Sequence, residues 1–355
     1  MKALKRIYIY SAIILFFSVL FLGAYSLHIR ERIIVLKVFH AGSLTLPFEW
    51  IRDRFEADFS SYRPSGSQVT YKVHVDLEPA GSIQCIRKIV DVGKSADVLA
   101  VADYLLIPNM MGDYASWYLK FARNRIVICY TNGSRYSSKV NETNWFKILL
   151  RDGVRWGFAN PNLDPCGYRV PWVIQLAEFE YDEDMIFENL IEAYSAITMR
   201  REGELYVYSS PEDLMPETSK LVIRDKSVDL VAMLESGGID YAFEYLSVAV
   251  QHGLNYVLLP VNIDLSGEDS FHLQLYSRLR AVTLKGNLTA SPIVYGITVP
   301  TCSEHPELAN QFVKYVISEF GQNVFKEMGQ TPLVPAVTSN LDSTPKVLIP
   351  YCVED

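Results

Sequence analysis

Three short segments of this chain could do chemistry together: Ala41-Gly42-Ser43, Gly81-Ser82 and Asp164-Pro165-Cys166-Gly167. Each sets a small residue, a hydroxyl or a carboxylate where a strand hands over to a helix. The first amides of a helix have no intrahelical acceptor, and the dipole there is positive, so such a turn favours an anion. Glycine lets the backbone come close to what is bound. Serine and aspartate are also ordinary helix caps, so any one of the segments is explained by capping alone. Three of them meeting in one place would make an anion site.

Nucleophilic and metal chemistry find little support. Gly-x-Ser-x-Gly, His-Glu-x-x-His, the Walker loop and Gly-x-Gly-x-x-Gly are all absent. His40 stands three residues before Ser43, but loop residues at that spacing need not face each other. A membrane-anchored serine hydrolase built on Ser43, the enzyme alternative, thus lacks both a nucleophile motif and a base. The five cysteines, Cys85, Cys129, Cys166, Cys302 and Cys352, are widely spaced, with no CxxC and no zinc-ligand pattern. Small buried hydrophobes account for most of them. No cofactor is implied.

The elements that must position the three segments follow from periodicity. Residues 33–39 form a buried strand, and a helix opens at Pro47 with Phe48, Ile51, Phe55 and Phe59 on one face. Val69, Tyr71, Val73 and Val75 alternate as a second strand. A helix opens at Gly81-Ser82 with Ile83, Ile86 and Ile89 inward, and 96–102 is a third strand. This β-α-β-α-β order predicts an open parallel sheet. Strands at 125–131, 154–159, 239–245 and 256–259 alternate with helices around Trp172, 228–234 and 247–252 to make a second α/β stretch. The pattern is weak between 187 and 216. A strand at 293–299 returns the chain to the first stretch, and helices at 307–316 and 322–328 close it. The expected architecture is two α/β lobes, 31–123 with 298–355 against 124–297, with a ligand cleft beyond the carboxyl ends of the strands.

Thirty-three basic against 41 acidic side chains give a net charge of −8, which argues against nucleic acid as a partner. A small anion stays possible, because local N–H donors bind anions whatever the net charge. Apolar residues at 49% suffice for real cores, and charged residues at 21% are too few for a disordered chain. Lys2, Lys5 and Arg6 precede an uncharged run at 7–27, long enough at ~1.5 Å per residue to span a bilayer. The positive flank puts the N-terminus inside and the rest outside. The run is long for a cleaved signal, and Gly23-Ala24-Tyr25-Ser26 is a poor cleavage site, so residues 1–30 read as a membrane anchor in preference to a signal peptide. Asn132, Asn141 and Asn287 head glycan-acceptor triplets.

Several blocks carry a family resemblance. Val38-Phe-His-Ala-Gly-Ser-Leu44 and Gly81-Ser-Ile-Gln-Cys-Ile-Arg-Lys-Ile89 resemble the first two loops of ABC-importer proteins that bind molybdate and tungstate. Asn160-Pro-Asn-Leu-Asp-Pro-Cys-Gly-Tyr-Arg169, Ser247-Val-Ala-Val-Gln-His-Gly253 and Pro292-Ile-Val-Tyr-Gly-Ile-Thr-Val-Pro300 are similar to the archaeal tungstate/molybdate branch. The likeness runs from about 38 to 336. It implies a two-lobed periplasmic-binding-protein-like fold of type II, no enzymatic activity, and delivery of the oxyanion to permease and ATPase subunits at the outer face of the membrane. It places Ala41, Ser43, Ser82 and Tyr245 at the N–H and hydroxyl positions that hold the oxyanion, and Asp164 at a carboxylate that bonds the metal atom. The family's second carboxylate falls in an Arg-Pro-Lys-Glu pattern, where this chain reads Arg224-Asp-Lys-Ser227. Ser227 therefore replaces a ligand, and Asp225 is the nearest carboxylate that could substitute. The same fold binding sulfate, phosphate or an organic acid is the other reading.

Overall fold

The structure, a computed structural model, describes residues 32–355. The 7–27 run lies outside them. Among the described residues no helix is long and apolar enough to cross a membrane. Two compact units divide these residues. The smaller holds 32–35 and 56–74, where Tyr62 and Tyr71 form an antiparallel bridge and His74 pairs with Glu56 at 3.0 Å. The larger holds 36–55 and 75–355 and carries the site.

Sixteen strands are described: β1 (Arg32–Ala41), β2 (Tyr71–Ala80), β3 (Val98–Val101), β4 (Leu119–Arg123), β5 (Ile126–Tyr130), β6 (Trp156–Ala159), β7 (Thr198–Glu202), β8 (Leu205–Ser209), β9 (Leu221–Arg224), β10 (Tyr241–Tyr245), β11 (Asn255–Leu258), β12 (Leu279–Thr283), β13 (Gly286–Thr289), β14 (Val294–Thr298), β15 (Thr331–Thr338) and β16 (Cys352–Glu354). They form a seven-stranded sheet ordered β16-β15-β4-β14-β3-β1-β2, a five-stranded sheet ordered β11-β5-β10-β6-β9 and a four-stranded sheet ordered β13-β12-β8-β7. This is the two-lobed α/β architecture expected from the sequence.

The first sheet is mixed, not parallel throughout. β1 and β3 run parallel, Val38 opposite Val98, but β14 enters antiparallel beside β3 and β4 antiparallel beside β14. The reason is the return of the chain: β14 comes back from β13 of the four-stranded sheet and meets β3 from the opposite direction. The two crossings are bonded where they pass. The Asn124 N–H donates to the Ile293 carbonyl at 3.1 Å, and the Asn124 side-chain amide donates to Ser247 Oγ at 2.7 Å and to the Tyr295 hydroxyl at 2.8 Å.

Burial explains the elements around the cleft. β3 and β10 are buried along their whole length, as strands covered on both faces should be. The helix Thr45–Asp58 turns Phe48, Ile51 and Phe55 inward, and Phe48 and Phe55 meet the Phe312 ring edge-on at 5.8 and 5.3 Å. The helix Pro165–Tyr181 buries Pro165 through Ala177 without a break, so its first turn is held on every side. Gly167 is required there: a Cβ would lie 2.4 Å from the Ala159 carbonyl oxygen and 2.7 Å from the carbonyl carbon of Asn160.

The weak stretch at 187–216 holds a short helix, Ile186–Leu190, and the hairpin β7–β8, which builds half of the four-stranded sheet. β7 is mostly exposed, so it lacks the apolar alternation by which a strand is read. The five cysteines are all free, with Cys85, Cys129 and Cys166 buried.

Gly167→Ala should force the helix start off β6 and cost about 1–3 kcal/mol, the usual range for overpacking. Urea unfolding measures it, and an unchanged midpoint would show that the helix start shifts freely.

Candidate functional site

One cavity of about 310 Å³ is lined by Ala41, Ser43, Ser82, Asp164, Ser227 and Tyr245 together. The structure thus gathers all six residues singled out from the sequence. They come from the ends of β1, β2 and β10, from the turn after β6 and from the turn after β9. The walls approach closely: a Cβ on Gly81 would lie 3.1 Å from the Leu163 carbonyl, and one on Gly42 3.4 Å from Val228 Cγ1.

The hydroxyls share one property. Ala41 ends β1, and Gly42–Leu44 is a single 3-10 turn leading into the helix Thr45–Asp58. That turn presents Ser43, whose Oγ accepts from the Tyr295 hydroxyl at 3.0 Å; Tyr295 itself accepts from Asn124. Ser82 is the first residue of the helix Ser82–Val90, and its Oγ accepts from the Ala102 N–H at 3.0 Å. The Tyr245 hydroxyl accepts from Arg169 Nη1 at 2.6 Å. A hydroxyl has one proton, and these oxygens are already taken as acceptors by other donors. Their protons remain to be donated. Ser43, Ser82 and Tyr245 are therefore set as donors around one space, and the unbonded amides of the helix starting at Ser82 add to them.

Asp164 caps the helix Pro165–Tyr181: Oδ1 accepts from the Cys166 N–H at 2.8 Å, and Oδ2 lies 3.5 Å from the Ser227 N–H. Burial pushes its carboxyl up to about 6, against the pull of the Cys166, Ser227 and Gly167 amides and of the Arg169 charge. Ser227 is buried beside it, so the position where the family pattern carries glutamate does face the same space as Asp164. Asp225 is exposed and outside the cavity lining, so it does not take over that place. His40 turns away from Ser43. Its Nδ1 bonds the Ala41 carbonyl at 2.9 Å, its ring packs on Phe48 at 5.3 Å, and burial lowers it to about 4, leaving it neutral.

Sequence reading missed the residues behind the lining. Arg169 is buried in the first turns of its helix, donates to the Tyr245 hydroxyl and the Ala102 carbonyl, and forms an ion pair with Asp103 at 3.2 Å. Glu244, wholly buried in β10, is raised well above the usual carboxylate range, first by burial and then by Asp164. A charged residue inside an otherwise apolar buried element was the available signal for both.

Residues 36–331 match the family described as bacterial extracellular solute-binding protein. The chain belongs to that family. It is a solute-binding protein. A solute-binding protein of Methanoculleus marisnigri is 50% identical over 306 residues, which cover 85% of this chain and 82% of that one. The molybdate/tungstate-binding protein WtpA of Pyrococcus abyssi is 40% identical over 308 residues, covering 85% and 86%. Among solved structures, the periplasmic molybdate-binding protein of Azotobacter vinelandii superposes with a TM-score of 0.54 at 15% identity, covering 83% of this chain and 98% of its own. The sulfate-binding protein SubI of Mycobacterium tuberculosis gives 0.51 at 12%, covering 89% and 90%. Two ligands on one architecture show that the fold alone does not choose between them.

The raised carboxyl of Asp164 has a consequence for stability. Folding holds its proton up to about 6, whereas an unfolded aspartate releases it near 3.8. The unfolded state binds fewer protons in that window, so the stability of the ligand-free protein falls as pH rises from about 4 to 6, by on the order of 3 kcal/mol for this group. Asp164→Asn keeps the cap and should remove that slope. Urea midpoints across this range measure it, and a slope equal to that of the unmodified protein would contradict the assignment.

Proposed function

We propose that this solute-binding protein captures molybdate or tungstate at the outer face of the membrane and hands it to the permease and ATPase subunits of an ABC importer, with the 7–27 run as its membrane anchor. The observation that carries the reading is the polarity of the cavity: hydroxyls of Ser43, Ser82 and Tyr245 whose oxygens are already bonded from behind. Such a wall donates to a fully ionised tetrahedral oxyanion, which only accepts. The 40% identity to the Pyrococcus abyssi molybdate/tungstate-binding protein supports the choice of metal.

Asp164 gives the reading its chemistry. A carboxylate beside a dianion is repelled unless it bonds the central atom. Molybdenum and tungsten accept further ligands, and the sulfur of sulfate does not. A carboxylate in the wall is therefore a selectivity device, because it burdens the ligand that cannot bond it. With Ser227 in place of a second carboxylate, the coordination shell expands less, and Ser227 contributes a hydroxyl at most.

Competitive calorimetric titration with tungstate, molybdate and sulfate tests the proposal. Tungstate and molybdate should displace sulfate, and equal or tighter sulfate binding would refute it. Ser43→Ala and Ser82→Ala should each weaken binding by about 1–3 kcal/mol, since each leaves a charged acceptor short of a donor. Unchanged affinity in both variants would put the ligand elsewhere. Ser227→Glu should widen the preference over sulfate; a narrowed one would show that position 227 does not face the metal.

A further inference from the structure

Behind the cavity, one two-residue segment touches both sets of donors. Ala102 and Asp103 follow β3 of the seven-stranded sheet. The Ala102 N–H fixes Ser82 Oγ at 3.0 Å, and the Ala102 carbonyl accepts from Arg169 Nη1 at 3.1 Å. Asp103 Oδ2 accepts from the Tyr168 hydroxyl at 2.6 Å and lies 3.2 Å from Arg169 Nη2. Tyr168 and Arg169 belong to the helix Pro165–Tyr181, which packs against β6 and β10 of the five-stranded sheet. Arg169 is 1% exposed, and its Nη1 in turn holds the Tyr245 hydroxyl at 2.6 Å. Asp103 thus stands on one sheet and is gripped by two residues that ride on the other.

We propose that Asp103 is a positioning residue for oxyanion binding: by pairing with Arg169 it sets the Tyr245 hydroxyl as a donor only when the two sheets are drawn together. The proposal rests on the oxyanion reading of the cavity and deepens it. Arg169 is the donor that takes the Tyr245 oxygen, so the direction of the Tyr245 proton depends on where the guanidinium lies. That place is set from the far side by the Ala102 carbonyl, which accepts from Arg169, and by the charge of the Asp103 carboxylate. When the sheets separate, both leave together, and Arg169 becomes free to swing into water. Tyr245 then loses its fixed polarity at the moment the Ser82 wall withdraws. The full set of donors exists only in the closed form, and a ligand that needs all of them favours closure. A buried ion pair adds little net stability but loses heavily when one partner is removed, which suits an orienting role better than a purely stabilising one.

Asp103→Asn keeps an oxygen to accept from the Leu105 N–H, as Oδ1 does at 3.0 Å, and removes the charge that pairs with Arg169. Tyr168→Phe is the milder variant, since it leaves the ion pair and removes one hydroxyl. With the full chain and molybdate as the probe, Asp103→Asn should weaken binding about tenfold, and Tyr168→Phe by less. In a Tyr245→Phe background, Asp103→Asn should cost no more than about twofold, because its target is gone. A loss of the same size in both backgrounds would overturn the proposal, as would no loss at all. Hydrogen–deuterium exchange on the ligand-free chains reads the coupling without any ligand. The cavity loops at 41–44, 81–84 and 163–166 should exchange faster in Asp103→Asn than in the unmodified chain, and equal exchange would overturn it. Absence of molybdate binding in the unmodified chain would refute the oxyanion reading instead and leave the exchange result to decide the role of Asp103.

Discussion

The direction of three hydroxyl protons is the constraint on which the rest of this structure depends. Ser43, Ser82 and Tyr245 face one cavity, and each oxygen accepts from a donor placed behind it. A hydroxyl left free would serve donor and acceptor ligands alike. With an acceptor site already filled from behind, its proton is the group left to present to the cavity. The donors that do the fixing are structural parts in their own right: Tyr295 in β14, the backbone at Ala102 just past β3, and Arg169 in the helix Pro165–Tyr181. Asn124, where the chain crosses between sheets, bonds Tyr295 and Ser247 and so ties the crossing itself to the polarity of Ser43. Fold and site are therefore not separable here.

An acidic chain can still build an anion site because only local fields matter at this range. The cavity has Lys226 in its lining and Arg169 behind it, against Asp164 within it and the raised carboxyl of Glu244 beneath. Burial resists ionisation of Glu244, and this reduces the negative charge that an entering dianion would meet beside the Asp164 carboxylate. The five-stranded sheet holds Glu244 and Tyr245 as neighbours on β10, so the group that resists charge and the group that donates are set by one buried strand.

Much of this was legible in the residues. The three loops were legible by type and position, although each taken alone reads as an ordinary helix cap, and only their meeting in one cavity sets them apart. Tyr245 and Ser227 had no such signal and came from likeness to a family pattern. Arg169 and Glu244 lay in plain view, but periodicity reads apolar faces and says nothing about a buried charge whose partner sits far away in sequence. The contact of Asp103 with Arg169 spans two sheets, and no local pattern encodes it. The antiparallel entry of β14 was hidden for the same reason: strand direction follows from how the chain returns, not from the composition of Val294–Thr298. The exposed β7 lacked the alternation that makes a strand readable.

The shared architecture of molybdate and sulfate binders leaves selectivity to the lining, and the lining is where a decisive measurement belongs. A crystal structure of the protein grown with molybdate shows the bonds directly. The hydrogen-bond polarity predicts a tetrahedral or expanded oxyanion in this cavity, its oxygens at hydrogen-bond distance from the hydroxyls of Ser43, Ser82 and Tyr245, and Asp164 as the carboxylate nearest the metal. An oxyanion bound away from these hydroxyls, or one whose metal lies nearer another carboxylate than Asp164, would contradict it.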